Sequence, residues 1–273
     1  MTVLPPIIKP DPVPGSHRVL IRVSYDGTAY AGWQRQQNAL AVQQVLEEAL
    51  RKLTGEPIVV TGSSRTDAGV HAMGQCVHFD THSRIPADKY AFALNTCLPP
   101  DIRVLAGMDI ASDFHARFDA KGKRYTYRIH NAPHASALYR DLTAHVPQTL
   151  DFERMQRSLP CLLGTHDFAA FQAAGGTAKT TIRTLEDVQL SKAGDELTLI
   201  VKGNAFLYNM VRIIAGTMLD IGMGRIPEDA FRTALETGDR LALGITAPAC
   251  GLELTQVFYQ QPLIGQTLFG MVK

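Results

Sequence analysis

Within the run Ser64-Arg65-Thr66-Asp67-Ala68-Gly69-Val70-His71-Ala72-Met73-Gly74-Gln75-Cys76-Val77-His78-Phe79, a carboxylate stands two residues from a guanidinium. An ionised Asp67 could attack an electron-poor carbon or stabilise a cation that forms beside it. Arg65 would favour the charged form of that acid. Gly69 and Gly74 permit backbone angles that other residues resist, so the stretch reads as a loop. Loops hung on a rigid scaffold are where chemistry tends to sit. The plainer alternative is an Asx-turn closed by Asp67 with Arg65 facing water.

Other residues also invite a chemical reading. His115, Arg117, Lys121, Lys123, Arg124 and Arg128 form the densest positive run, with Phe114, Phe118, Tyr125 and Tyr127 interleaved. Cations neutralise phosphates and aromatic faces stack on unpaired bases, so this pattern fits a nucleic acid; it also fits a solvated strand edge. Tyr127, two residues after Tyr125, faces the same side of a strand and could pack in a core or make a second contact. Ala31-Gly32-Trp33-Gln34-Arg35-Gln36-Gln37 holds the only tryptophan and several amide and cationic donors. It is either a polar surface loop or a loop gripping a nucleic-acid backbone. Arg212 lies in the most apolar segment of the chain, where an unpaired charge is costly. Asp67 is its obvious partner; the alternative is a guanidinium snorkelling to the surface. His71, His78 and His82 lack the close spacing of zinc motifs, so no metal is expected. His166-Asp167 reads as a loop and Gly222-Met223-Gly224 as a helix stop.

The elements that must position these residues follow from periodicity. Val19, Ile21 and Val23 alternate with Leu20, Arg22 and Ser24 as a first strand. Val42, Val45, Leu46, Ala49, Leu50 and Leu53 mark one face of a helix that Gly55 ends. Ile58–Val60 is expected to be a short strand before the Asp67 loop, and Gln75 to about Thr81 the strand after it. Pro86 opens a helix through Leu94, and Ile102–Leu105 is a further strand. The order repeats after about Asp113: a strand over Arg124–Ile129, a helix over Phe152–Leu163 interrupted at Pro160, strands over Ile182–Leu190 and Leu197–Val201, an apolar helix over Phe206–Ile221, a helix from Pro227 to Gly238, and a last strand over Leu252–Phe258. Each half thus reads as a ferredoxin-like or RRM-like β-α-β-β-α-β unit with an antiparallel sheet. The expected class is α+β: two such domains with an active-site cleft between them. The expected boundaries are a mobile proline-rich tail at 1–16, an N-terminal domain at 17–112 carrying Asp67, a C-terminal domain at 113–262 carrying Tyr125 and Arg212, and a tail at 263–273.

Composition sets outer limits. The 273 residues suit one large domain or two modest ones, and 45% hydrophobic content allows a sizeable core. A formal net charge of +1 excludes a uniformly basic coat but not a local basic groove. No apolar run is long enough to span a bilayer and no signal peptide is read at the start, so a cytoplasmic protein without membrane contact is expected. Cys76, Cys97, Cys161 and Cys250 are widely spaced, as free thiols would be.

The string Arg65-Thr66-Asp67-Ala68-Gly69-Val70-His71-Ala72 followed by Gly74-Gln75 resembles the signature of the tRNA pseudouridine synthase A family. Four further segments match in the same order: Tyr25-Asp26-Gly27 with Gly32-Trp33-Gln34-Arg35-Gln36; Asp113-Phe114-His115-Ala116-Arg117-Phe118 with Lys123-Arg124-Tyr125-Thr126-Tyr127; Asn204-Ala205-Phe206 with Met210-Val211-Arg212; and Thr246-Ala247-Pro248 with Gly251-Leu252. Together they span about Arg18 to about Tyr259. The chain departs from the pattern at Ser64, where a glycine is usual. The resemblance implies an isomerase that detaches uracil from its ribose, turns it and rejoins it through carbon, in the anticodon stem-loop of tRNA around positions 38 to 40. It implies Asp67 as nucleophile, toward sugar or base, with Arg65 and Arg212 holding it ionised. It implies Tyr125 stacking on the target uracil and a homodimer sharing one tRNA; Arg35, Lys123 and Arg124 are expected on the RNA from their charge. No electrons or phosphoryl groups move, so no cofactor is required. A non-catalytic RNA-binding protein on RRM-like sheets is the rival, but a carboxylate in a groove for polyanions repels its ligand. A glycosidase would need a second carboxylate, and Asp26 and Asp80 lie in turn contexts.

Overall fold

The computed structural model describes residue 11 and residues 13–260. The tail expected at 263–273 lies outside the described residues, as does most of the one expected at 1–16. Of the latter, Val13–Ser16 closes a turn: Ser16 N–H donates to the Val13 carbonyl at 3.1 Å and Val13 N–H to Asp80 at 3.2 Å. The chain forms two compact units. The first holds residues up to Ala68, Ala72–Lys121 and the chain from Gln256 on; the second holds Gly69–His71 and Gly122–Thr255.

In the first unit the elements are β1 (His17–Tyr25), α1 (Val42–Thr54), β2 (Thr61–Gly62), β3 (His71–Thr81), α2 (Tyr90–Asn95) and β4 (Ile102–Ile110). β1 lies between β4 and β3, antiparallel to both, and β2 pairs with β3. Val19, Ile21 and Val23 are buried with Leu46 and Leu50 of α1 and Tyr90 and Leu94 of α2. The alternation in β1 is what presents those three branched side chains to one face. The strand expected at Ile58–Val60 is absent, and only Thr61–Gly62 is laddered. The reason lies in α1: the side chain of Gln43 donates to the Val60 carbonyl at 3.2 Å, and Val60 N–H donates to Glu47 at 3.3 Å. Side chains thus satisfy backbone groups that a ladder would otherwise need. The helix expected from Pro86 starts as a 3-10 turn at Ala87–Lys89 before α2.

The second unit carries β5 (Ala120–His130), β6 (Ala144–His145), α3 (Phe152–Ser158), β7 (Gly164–Asp167), β8 (Ile182–Ala193), β9 (Glu196–Gly203), α4 (Met210–Gly222), α5 (Ala230–Thr237) and β10 (Leu252–Tyr259). The first two residues of β5 and the last four of β10 count with the first unit. Here β9 lies between β5 and β8, antiparallel to both, β7 extends the sheet beyond β8, and β10 flanks β5. Tyr127, Ile129, Leu199, Ile213, Ile214, Met218 and Phe231 are fully buried. α3 stops at Ser158, short of the expected Leu163, because Pro160 has no N–H to extend it; Pro160–Leu162 is a 3-10 turn. α4 starts at Met210, not Phe206: Asn209 has φ 60°, a left-handed angle that cannot continue a right-handed helix. As expected, α4 is apolar nearly all round and buried.

Each unit therefore has the β-α-β-β-α-β order read from the sequence. Counting that unit's four main strands along the chain, each sheet runs 4-1-3-2. The fold is α+β with two ferredoxin-like units.

Candidate active site

Asp67 lies in the loop from Ser63 to Val70, and its side chain is half-buried. The loop is tied at its start by Gln75 of β3. The Gln75 amide accepts from Ser63 Oγ at 2.7 Å and donates to the Ser64 carbonyl at 2.7 Å, while Ser63 N–H reaches the Cys76 carbonyl at 2.8 Å. Among the described residues Asn209 is the one non-glycine with a positive φ, so Ser64 takes no angle that would require the family's usual glycine.

The middle of the loop is held by Gly32-Trp33. Trp33 N–H donates to the Thr66 carbonyl at 3.0 Å. Gly32 has φ 91°, and a Cβ on it would stand 2.5 Å from that oxygen, so only glycine allows the approach. Trp33 is 2% exposed and its ring stacks on Tyr25 at 6.0 Å. The tryptophan read from sequence as a surface or nucleic-acid-gripping residue is core. Its loop is bound in turn to α1: Val42 N–H donates to the Gly32 carbonyl and Gln43 N–H to the Trp33 carbonyl. Glu47, buried, accepts from Gln43 at 3.0 Å and from Arg35 at 2.8 Å. Arg35 thus serves the loop through Glu47, while its side chain stays 54% exposed. Arg65 is exposed.

In the second unit one short segment, 247–250, supplies acceptors to several residues singled out by the sequence. Arg212, half-buried, donates through Nε to the Ala247 carbonyl at 2.8 Å and through a terminal nitrogen to Asn209 at 3.0 Å. Tyr127 donates to the Pro248 carbonyl at 2.9 Å; burial pushes its hydroxyl well above the usual tyrosine range. His71 Nε2 donates to the Cys250 carbonyl at 3.1 Å, which fixes its tautomer. Gly69, at φ 75°, has the Ala249 methyl close by: a Cβ added to it would stand 3.3 Å from that group. So His71 and the guanidinium of Arg212 bond carbonyls of the same turn. Sequence reading missed Gln75 and this turn as positioning devices. The Thr246-Ala247-Pro248 and Gly251-Leu252 match was the available signal.

Tyr125 sits on β5 opposite Val201, 6% exposed, with Phe206 edge-on at 5.0 Å. Tyr127 is fully buried, so of the two readings open for it, core packing holds. Lys123 and Arg124 are half-buried on β5. The basic run is not continuous on the surface. His115 is 4% exposed, its ring stacks on Phe118 at 4.1 Å, and its Nδ1 accepts the N–H groups of Arg117 and Phe118. His78 Nδ1 likewise accepts from Ala116 N–H at 3.1 Å. These two imidazoles build a turn rather than a cationic surface. Among the described residues no group of three His, Cys, Asp or Glu side chains is placed to hold a metal, and no helix is long and apolar enough to cross a membrane.

A family profile described as tRNA pseudouridine synthase matches residues 21–119 and 161–260. This chain belongs to the tRNA pseudouridine synthase family. Its members are isomerases that convert uridine to pseudouridine, and the resemblance read from the five motifs is to that family. A relative named tRNA pseudouridine synthase A from Acetivibrio thermocellus is 48% identical over 241 residues, 88% of this chain and 99% of its own. One of the same name from Halalkalibacterium halodurans is 49% identical over 236 residues, 86% of this chain and 90% of its own. A chain in the crystal structure of a Cbf5-Nop10-Gar1 complex aligns with a TM-score of 0.39 at 12% identity, over 88% of this chain and 50% of that one, too weak a likeness to bear on the site. The family profile spans the Asp67 loop, the Gly32-Trp33 clamp and the 247–250 turn.

Proposed function

We propose that this synthase isomerises uridine in the anticodon stem-loop of tRNA, around positions 38 to 40, with Asp67 as the nucleophile. The observation that supports it is the build of the Asp67 loop. Side chains and backbone groups tie it from Ser63 to Thr66 and again at His71, with the half-buried carboxylate between. A carboxylate held in one place is what attack on a flipped nucleotide needs. In the overall reaction the bond from the ribose anomeric carbon to the uracil ring nitrogen breaks and one to a ring carbon forms. The hydrogen leaving that carbon is balanced by one gained at the nitrogen, so mass is unchanged and no cofactor is called for.

In this reading Arg65 and Arg212 are counter-charges that keep Asp67 ionised. The Arg212–Asp67 pairing stands on charge balance: a half-buried guanidinium is stabilised by an anion. Tyr125 stacks on the target uracil, and Arg35, Lys123 and Arg124 bear on the RNA backbone. The N-terminal half carries the nucleophile and the C-terminal half the stacking tyrosine and Arg212. The enzyme acts as a cytoplasmic homodimer on one tRNA. The test is incubation with unmodified tRNA followed by carbodiimide labelling mapped by primer extension. Label at positions 38 to 40 is expected; label confined to another arm of the tRNA would overturn the site assignment.

A further inference from the structure

We propose that Tyr25 and Thr66 form a positioning pair for the reacting carboxylate, one buried hydroxyl–hydroxyl hydrogen bond fixing residue 66 so that Asp67 presents one orientation to its target. This rests on the reading of Asp67 as the reacting group. Tyr25 is the last residue of β1, where the pairing with β3 slips between Val23 and Tyr25. Such irregularities re-aim a side chain off the regular pleat. The Tyr25 hydroxyl comes within 2.7 Å of Thr66 Oγ1, and both residues are buried.

Thr66 is held a second time through its main chain. Its carbonyl takes the Trp33 N–H, and Gly32 leaves the room for that bond. The Trp33 ring itself rests against Gly62, where a Cβ would stand 2.6 Å away. Trp33 therefore cannot recede to let the loop relax, and Tyr25 stacks on its ring at an interplanar angle of 30°. With side chain and carbonyl of residue 66 both tied, the torsions left between this anchor and the Asp67 Cα are few. A misplacement of about 1 Å at a reacting group can cost about a hundredfold in rate. The pair is not required for packing: Phe and Val fill nearly the same volumes, and removing both polar partners of a buried bond is often close to neutral for stability. Its purpose is therefore orientation, not bulk.

The variants Tyr25→Phe, Thr66→Val, Thr66→Ser and the double Tyr25→Phe/Thr66→Val are compared with the parent and with Asp67→Asn on one tRNA transcript, reading kcat, KM and melting temperature. For Tyr25→Phe and for Thr66→Val we expect a kcat about tenfold down at unchanged KM. Thr66→Ser, which keeps the hydroxyl, should stay near the parent. The double variant should fall no further than either single, because both remove the same bond. Parental kcat in Tyr25→Phe and Thr66→Val, losses that multiply in the double variant, or a kcat that falls only as far as the melting temperature predicts would each overturn the pair. Inactive Asp67→Asn beside fully active Tyr25→Phe removes this inference alone; active Asp67→Asn removes the reading it rests on.

Discussion

Tyr125 separates two kinds of information in one residue. Its place on β5 and its burial follow from the alternation of Tyr125, Tyr127 and Ile129, whereas its role toward a base rests on the motif around it. Its ring is held edge-on by Phe206. Base–aromatic stacking contributes about 1–3 kcal/mol. Tyr125→Phe should therefore keep most of the turnover on tRNA and Tyr125→Ala lose much of it, measured as kcat/KM. Equal losses in the two variants would assign the role to the hydroxyl. Other residues were less legible. Asp67 stood out because an acid next to an arginine in a glycine-bearing loop is unusual. Trp33 did not, because its burial depends on Gly62, 29 positions away, which no local pattern announces. His115 looked cationic beside Arg117, yet its ring nitrogen accepts backbone N–H bonds.

At the scale of elements, helix ends marked by glycine were readable to within a residue: α1 ends at Thr54 and α5 at Thr237, with Gly55 and Gly238 as left-handed caps, whereas α5 starts at Ala230, three residues past Pro227. Boundaries failed where side chains replaced the ladder, as at Val60, or where one residue took a left-handed angle, as at Asn209. The turn at 114–119 leading into β5 is held from one side by His78 and from another by Arg18. Arg18 donates to the Phe114 carbonyl at 2.7 Å and makes a two-pronged bond to Asp80 at 2.6 and 2.8 Å. Burial pushes the His78 imidazole down to about 4, with the charges of Arg18 and His115 adding to it and those of Asp80 and Asp119 opposing it. Burial alone would raise the Asp80 carboxyl, but the bonds from Arg18 and from Val13 N–H bring it below its usual range. The unfolded chain binds a proton on His78 below about pH 6.5, whereas the folded chain does not until about pH 4. The contribution of neutral His78 is thus complete above about pH 6.5 and is lost as pH falls toward 4. Urea midpoints followed by Trp33 fluorescence should decline through that window, and less so in a His78→Gln variant. An equal decline in the variant would place the acid sensitivity elsewhere.

For the whole molecule, the repeat of element order is written in the chain itself: each half alternates strand and helix at the spacing a ferredoxin-like unit needs, and each folds into the 4-1-3-2 sheet. Sequence periodicity carries order along the chain but not the exchange of short segments, so the assignment of Gly69–His71 to the second unit was not legible. A formal charge of +1 over 273 residues leaves phosphate contacts to local clusters of cations. Two copies around a two-fold axis present the Arg117–Arg128 run twice, and that symmetry is the commonest. A dimer at micromolar concentration by light scattering is expected, with tRNA affinity falling steeply as salt rises. A fully active monomer at that concentration would remove the shared-tRNA arrangement while leaving the chemistry of Asp67 as proposed. That chemistry is tested most directly by Asp67→Asn, which nearly keeps the shape but removes the charge. Pseudouridine formation on unmodified tRNA should vanish while melting temperature and tRNA affinity stay near the parent; isomerisation by the variant at a rate close to the parent's would contradict the account.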